Sequence, residues 1–120
     1  MSTKKDGDLG EDTVALWLSS QGYHIIKRNL RCPEGEVDII VYRDACVAFV
    51  EVKAWKKFGI ESLGLSIHSG KRRNIIRTAR FFLRQYPEWK QFRPRFDVAF
   101  IAADNSIHHF PDAFTEAGFQ

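Results

Sequence analysis

The segment FVEVK, residues 49–53, places two charged side chains inside a run of residues that otherwise belongs in a protein core. Glu51 and Lys53 alternate with apolar residues, so in a strand they lie on one face. Burying such charges costs several kcal/mol each unless they are paired with other charges or bind a metal. The pattern therefore predicts that a partner group or a cation accompanies this face.

A hairpin brings a second acid to the same face. The predicted hairpin consists of the strand EGEVDIIVY (34–42), the turn RDAC (43–46) and the strand VAFVEVK (47–53). Whether the turn has two residues or four, the predicted register places Asp38 opposite Glu51 and Glu36 opposite Lys53. Facing side chains have Cβ atoms about 4.5–5.5 Å apart, and two ionised carboxylates at that distance repel by roughly 3 kcal/mol at an effective dielectric constant of about 20. A shift of one residue would send the two acids to opposite faces.

A divalent cation would convert the repulsion between Asp38 and Glu51 into attraction. Oxygen ligands suit Mg²⁺ (or Mn²⁺), and the backbone carbonyl of Val52 with waters would complete its shell. Bound there, the metal would activate water against a phosphodiester, and Lys53 would position the hydroxide or neutralise charge on the phosphate. The spacing D…ExK alone also occurs by chance in short strands, so the prediction depends on the register.

Two helices flank the hairpin. The first is predicted over 8–21, where Glu11 shares a face with Val14 and Leu18. Glu11 would orient a water or complete a second metal position; alternatively it is a first-turn acid favoured by the helix dipole. The second helix is predicted over 71–86, with Lys71 at the edge of its apolar face. Lys71 either reaches the acids or extends to water.

Basic residues are the candidate nucleic-acid contacts. They comprise Lys56, Lys57 and Lys71 together with an arginine stripe, Arg73, Arg77, Arg80 and Arg84, on the outer face of the second helix. The stripe fits phosphate binding but also an ordinary solvated helix face. Residues 54–70 contain three glycines and are predicted to form a loop, either a flap beside the site or a plain surface connection.

The remaining elements are strands. Tyr23 to Arg28 precedes the hairpin, whereas FDVAFIAA (96–103) and a short strand over 107–110 follow the second helix, the first of them as a parallel return. Asp97 either touches the site or forms an ion pair with Arg95 or Arg73. His108 and His109 are interpreted as structural, and Phe114 is expected to dock the chain end.

Composition bounds the class of protein. The 120 residues fit a single domain, 1–120, with 1–6 and 116–120 as flexible tails. A formal net charge of +3 does not by itself establish a nucleic-acid partner. Cys32 and Cys46 fit reduced thiols of a cytoplasmic protein. The polar N-terminus lacks a signal peptide, and no stretch of about 18 apolar residues predicts a membrane span.

Six stretches together resemble the YraN family of small bacterial proteins. They are GDLGED (7–12), GYHIIKRNLRC (22–32), EGEVDII (34–40), FVEVK (49–53), Lys71 with the helix after it, and RFDVAFI (95–101). That family is similar to the PD-(D/E)XK nuclease superfamily, especially archaeal Holliday junction resolvases. The resemblance implies an α/β, restriction-endonuclease-like core, α-β-β-β-α-β, with a mixed central sheet flanked by helices.

The resemblance also implies an activity and assigns residues to it. It implies a Mg²⁺-dependent endonuclease acting on DNA, branched or junction DNA included, and by analogy a homodimer. Asp38 and Glu51 take the metal-ligand roles, Lys53 the catalytic lysine and Glu11 the helix acid. Val37 replaces the proline that names the superfamily. Ala54 and Trp55 replace the usual Thr-Arg, so either a phosphate contact is lost or Trp55 stacks on a base.

Two other functions fit the same residues. The chain could be a nucleic-acid-binding module that keeps the fold with little or no turnover. It could also be a structural or adaptor protein whose Glu–Lys pairs are ordinary salt bridges. Cleavage in Mg²⁺ or Mn²⁺ separates the nuclease from the binding module, which would bind without cutting. The adaptor would bind no metal.

Overall fold

The computed structural model describes residues 3–54 and 69–115. The elements within these ranges, in chain order, are α1 (Thr3–Ser20), β1 (His24–Cys32), β2 (Gly35–Arg43), β3 (Cys46–Ala54), α2 (Ser69–Gln85), β4 (Arg93–Ile101) and β5 (Ile107–Phe114), with a 3₁₀ turn at Pro87–Trp89. Side chains are described for residues 10–53 and 71–115. The order up to β4 is the predicted α-β-β-β-α-β succession.

The five strands form one mixed sheet in the order β1-β2-β3-β4-β5. Neighbouring strands are antiparallel except for β3 and β4, which are parallel. A parallel pair requires a crossover connection, and the chain between β3 and β4 contains α2. The predicted parallel return after the second helix is therefore confirmed, as is the α/β class.

The β2–β3 hairpin has the register that the sequence predicted. Ile39 faces Val50 and Arg43 faces Cys46, and the turn consists of two residues. Asp44 and Ala45 in that turn have φ angles of 53° and 64°, as the tight turn that matches strand twist requires. Because a turn of two residues permits little variation in strand pairing, it fixes the register between the acids of the two strands.

Each face of the sheet has its own core. The first core lies beneath α2 and includes Ile40, Val47, Phe49, Ile75, Ile76, Ala79, Phe82 and Phe96. The second lies beneath α1 and includes Val14, Leu18, Tyr23, Ile39, Val41, Ala48, Val50 and Ala99. Strands covered on both faces read as nearly continuous apolar runs, which explains why the charged residues of FVEVK stand out.

Several elements are longer than predicted. Helix α1 begins at Thr3 and so includes residues 3–6, which the sequence analysis assigned to a tail. Strand β1 continues to Cys32 because its second half pairs with the start of β2. Strand β5 continues through Pro111 to Phe114, whose ring stacks on Phe96 at 5.4 Å. The predicted docking of Phe114 is thus confirmed. Pairing with neighbouring strands extends β1 and β5, and the periodicity within one segment cannot predict such pairing.

The structure describes only the two ends of the predicted loop. Ala54 ends β3, and Ser69 and Gly70 begin α2, two residues earlier than predicted; positions 55–68 lie outside the described residues. In the described part of the chain, neither helix combines the length and apolar character needed to cross a membrane. Cys32 and Cys46 are free thiols.

Candidate functional site

The two acids meet where β2 and β3 separate. Backbone pairing between these strands ends at Ile39 and Val50, and continuing the register by one residue places Asp38 opposite Glu51. In place of a further ladder bond, the amide of Val52 donates a hydrogen bond of 2.8 Å to Asp38 Oδ2. The carboxylate of Asp38 therefore bridges the gap between the strands.

Two lysines surround the second acid. Glu51 is only 5% exposed, and its Oε2 lies 2.7 Å from Lys71 Nζ and 3.7 Å from Lys53 Nζ. Lys53 comes from the same strand face, whereas Lys71 comes from the first turn of α2. The prediction that Lys71 reaches the acids is confirmed, and its contact with Glu51 is the closer of the two.

The charges of this cluster shift its pKa values. Burial and, next, the charge of Glu51 raise the pKa of Asp38 to about 7. Burial and then the charge of Lys71 lower the pKa of Lys53. For Lys71 burial opposes the charged form, but the hydrogen bond and charge of Glu51 outweigh it and raise the pKa. The group thus holds one proton-retaining acid and one amine that releases its proton more readily than usual.

Glu11 faces inward, as its helical position predicted. It is 6% exposed and its Oε1 lies 3.2 Å from an amino group of Arg28, which also contacts Asp12 at 2.6 Å. The charge of Glu11 contributes, more weakly than that of Glu51, to the raised pKa of Asp38. The sequence analysis missed Arg28, since nothing in the pattern of β1 distinguishes it from the other basic residues there.

The cluster fits a hard divalent cation. Magnesium commonly uses one or two carboxylates, with water and substrate phosphate completing its shell. In a strand the N–H and C=O of one residue point to the same side, so the carbonyl of Val52 faces the gap that its amide shares with Asp38. No group of three or more Asp, Glu, His or Cys side chains suited to a metal occurs among the described residues. The available donors are therefore two carboxylates and a backbone carbonyl.

The other predicted contacts lie elsewhere. Arg73, Arg77 and Arg80 are exposed on α2, and Lys56 and Lys57 lie outside the described residues. Arg77, Arg80 and Arg84 line a groove of about 360 Å³ together with Glu34 from the β1–β2 turn. On α2 these arginines point away from Lys71, so the groove and the acid pair are separate surfaces.

Asp97 belongs to a second buried network, beneath α1. It is fully buried and accepts hydrogen bonds from Arg95 Nε at 2.9 Å and Arg95 NH2 at 2.8 Å, which confirms one of the two partners predicted for it. The backbone amide of Asp112 also donates to it, at 2.9 Å. Burial alone would raise the pKa of Asp97, but these bonds and one from His109 lower it.

His109 is the part of this network that the sequence analysis did not connect to Asp97. Its Nε2 lies 2.8 Å from Asp97 Oδ2 and carries the proton, because an ionised carboxylate only accepts. Its ring packs edge-on against Trp17 and Tyr23, and Arg95 donates to the Tyr23 hydroxyl at 2.7 Å. The network joins α1, β4 and β5, so its role is structural.

The fold and site define an α/β domain with a mixed sheet, a helix on each face and a partly buried acid–lysine cluster. The chain belongs to the Uncharacterised protein family UPF0102, whose profile matches residues 10–101; the resemblance to the YraN family is thereby confirmed.

Relatives from three bacteria align with this chain over most of its length. A UPF0102 protein of Treponema pallidum (strain Nichols) is 36% identical over 116 residues, 92% of each chain. One of Thermosynechococcus vestitus is 38% identical over 117 residues, 92% of this chain and 91% of its own. One of Ehrlichia ruminantium (strain Gardel) is 32% identical over 110 residues, 92% of this chain and 84% of its own.

Proposed function

We propose that this protein is a metal-dependent nuclease of the PD-(D/E)XK type that hydrolyses phosphodiester bonds in DNA. The observation that carries the proposal is the approach of Asp38 and Glu51 at the opening between β2 and β3, with Lys53 on the same face. Glu51 is buried, and partial burial together with the charge of Glu51 raises the pKa of Asp38 to about 7; such a pair of acids is unfavourable for the fold alone, whereas a cation would stabilise both.

Asp38, Glu51 and the carbonyl of Val52 are the groups that would hold Mg²⁺ or Mn²⁺. When bound, the cation supplies Lewis-acid polarisation of the scissile phosphate and lowers the pKa of water. Because the pKa of Lys53 is lowered, its amine can accept a proton from the attacking water more easily than an exposed lysine. Glu11, whose carboxylate faces inward, would orient a water. The resolvase-like dimer and a cytoplasmic location remain predictions from the sequence.

Cleavage of defined substrates tests the proposal. Single-stranded, duplex, flap and four-way DNA, with matching RNA, would be incubated with Mg²⁺ or Mn²⁺. We expect cleavage of at least one DNA substrate, and a loss on the order of 100-fold in the Lys53→Met variant, the scale of a removed acid–base group.

The matched control is Lys27→Met, which makes the same change at an exposed lysine of β1 and should cleave like the wild type. Asp38→Asn identifies contaminating nuclease, since it should also abolish cleavage. Activity that survives both Lys53→Met and Asp38→Asn would contradict the proposal.

A binding module without turnover is the alternative that the arginine groove favours. Three guanidinium groups around one groove can contact phosphates whether or not the acids act. This alternative predicts affinity for nucleic acid with no cleavage under any metal condition.

Salt dependence shows whether the arginines contact phosphates. In the non-cleaving Asp38→Asn background, the logarithm of the association constant should fall as the logarithm of the salt concentration rises. We expect Arg77→Gln and Arg84→Gln each to make this fall less steep, by about 1 in the slope. Arg31→Gln, a substitution at an exposed arginine of β1 that pairs with Glu36, should leave the slope unchanged. Equal slopes for all three variants would show that the groove does not contact the nucleic acid.

A further inference from the structure

The ammonium of Lys71 occupies the position that a cation would take beside Glu51. Its Nζ lies 2.7 Å from Glu51 Oε2, within charge-assisted hydrogen-bonding distance. Glu51 is 5% exposed, and burying a carboxylate is costly without a positive charge beside it. The lysine side chain itself is about one-third exposed, at 36%, which leaves it a route away from the acid.

The position of Lys71 on α2 is not explained by helix stability. A cation in the first turn of a helix opposes the helix dipole, and the first turn of α2 contains no acidic residue to offset it. The contact with Glu51, on the sheet beneath, is the interaction that favours a lysine there. The contact with Glu51 therefore stabilises Lys71 at this position, whereas the dipole of its own helix opposes it.

Lys71 and a divalent cation would compete for the same carboxylate. Lys53 Nζ is also close to Glu51 Oε2, at 3.7 Å, so two positive charges are already crowded around this oxygen. A divalent cation bound to Glu51 would lie close to the ammonium of Lys71 and would be strongly repelled by it.

We infer that Lys71 is a resident counter-ion of the acid pair, which leaves Glu51 when a divalent cation binds. The inference rests on the proposed metal site and adds how a divalent cation enters that site, by exchange with Lys71. Lys71 keeps the metal-free site neutral enough to fold and at the same time weakens metal binding. Once displaced, the ammonium would be available to a phosphate oxygen, so substrate and metal would favour each other's binding.

Mn²⁺ titration of the Lys71→Met variant tests the exchange, with free Mn²⁺ followed by electron paramagnetic resonance. Methionine keeps an unbranched apolar side chain and removes the charge. We expect the variant to bind Mn²⁺ on the order of tenfold more tightly than wild type, although its metal-free form melts at a lower temperature. Damage to the site would instead weaken binding, so tighter binding is a result that a merely structural role does not produce.

Two controls define the result. Arg73→Met, two residues later and exposed, should bind Mn²⁺ like the wild type, and adding Glu51→Gln to Lys71→Met should abolish the gain. Should Lys71→Met fold poorly, Lys71→Gln replaces it in the same titration. A larger rise in melting temperature on adding Mn²⁺ to the Lys71 variant provides a second readout.

Unchanged or weaker Mn²⁺ binding by Lys71→Met would overturn the exchange while leaving the nuclease proposal in place. Mn²⁺ binding that persists in Asp38→Asn with Glu51→Gln, or no binding by any variant, would overturn the exchange and the metal site together. Tighter binding by Lys71→Met without DNA cleavage in the separate assay would support the exchange and contradict the nuclease.

Discussion

Replacing Asp97 by asparagine is expected to destabilise the protein by about 3–5 kcal/mol, the scale of a broken buried ion pair. Asp97 is fully buried and lies within 2.8 Å of both Arg95 and His109. An amide has the same shape but no charge, so the guanidinium of Arg95, 13% exposed, would lose its counter-charge. Thermal unfolding should show a midpoint lower by about 10–20 °C.

The matched control is the same substitution at Asp112. This aspartate also pairs with an arginine, Arg93, at 2.9 Å, but the two side chains are 41% and 59% exposed. Exposed pairs contribute about 0–1 kcal/mol, and asparagine tolerates the positive φ of 58° at this position. Equal losses for Asp97→Asn and Asp112→Asn would show that the buried network does not stabilise the fold as the geometry implies.

Replacing Asp38 by asparagine is expected to stabilise the metal-free protein by about 2–4 kcal/mol at pH 8. The pKa of Asp38 is about 7 in the folded protein, against an ordinary value of 3.8. Between these values the folded state binds more protons than the unfolded state. The free energy of unfolding therefore falls as pH rises from about 4 to about 7, and it levels off above that.

The variant should lack this decline, because an amide has no proton to lose in this range. Its carbonyl can still accept the hydrogen bond from the Val52 amide. Urea unfolding at several pH values, with metal chelated, measures the difference between the two profiles. The other titratable groups are the same in both proteins, so only the difference between the profiles reports Asp38.

Glu36→Gln provides the control for this experiment. Glu36 lies two residues before Asp38 in β2, but it is 54% exposed and pairs with Arg31 on the surface. Its variant should keep the wild-type pH profile. Parallel profiles for wild type and Asp38→Asn would refute the raised pKa of Asp38. At pH 8 Mn²⁺ should then stabilise the wild type but not Asp38→Asn, since the same acid that weakens the metal-free fold is a proposed ligand.

Residues close together in the chain made much of the site predictable. The turn at Asp44 and Ala45 is short, so the alternation of apolar residues on either side leaves one register that buries both strands. Asp38 and Glu51 followed from that register, as did the inward face of Glu11 from its spacing with Val14 and Leu18. The family resemblance then assigned metal-ligand and catalytic roles to these positions.

The polar partners from distant segments were not predictable in the same way. Arg28 reaches Glu11 across 17 positions, and Arg95 reaches Tyr23 across 72. Such pairs depend on how α1 lies over the sheet, and a local periodicity contains no information on that packing. The sequence left two partners open for Asp97, Arg95 and Arg73; the structure selects the residue on the same strand and adds His109 from β5.

The sequence by itself determined the element order, the hairpin register and the placement of Glu51 and Lys53 on one strand face. These features depend on local turn geometry and on the two-residue repeat of a strand. Only the tertiary structure decided that Lys71, rather than Lys53, makes the closer contact with Glu51. That outcome depends on where α2 begins above the sheet, and long-range packing sets that position through the apolar contacts of its buried face.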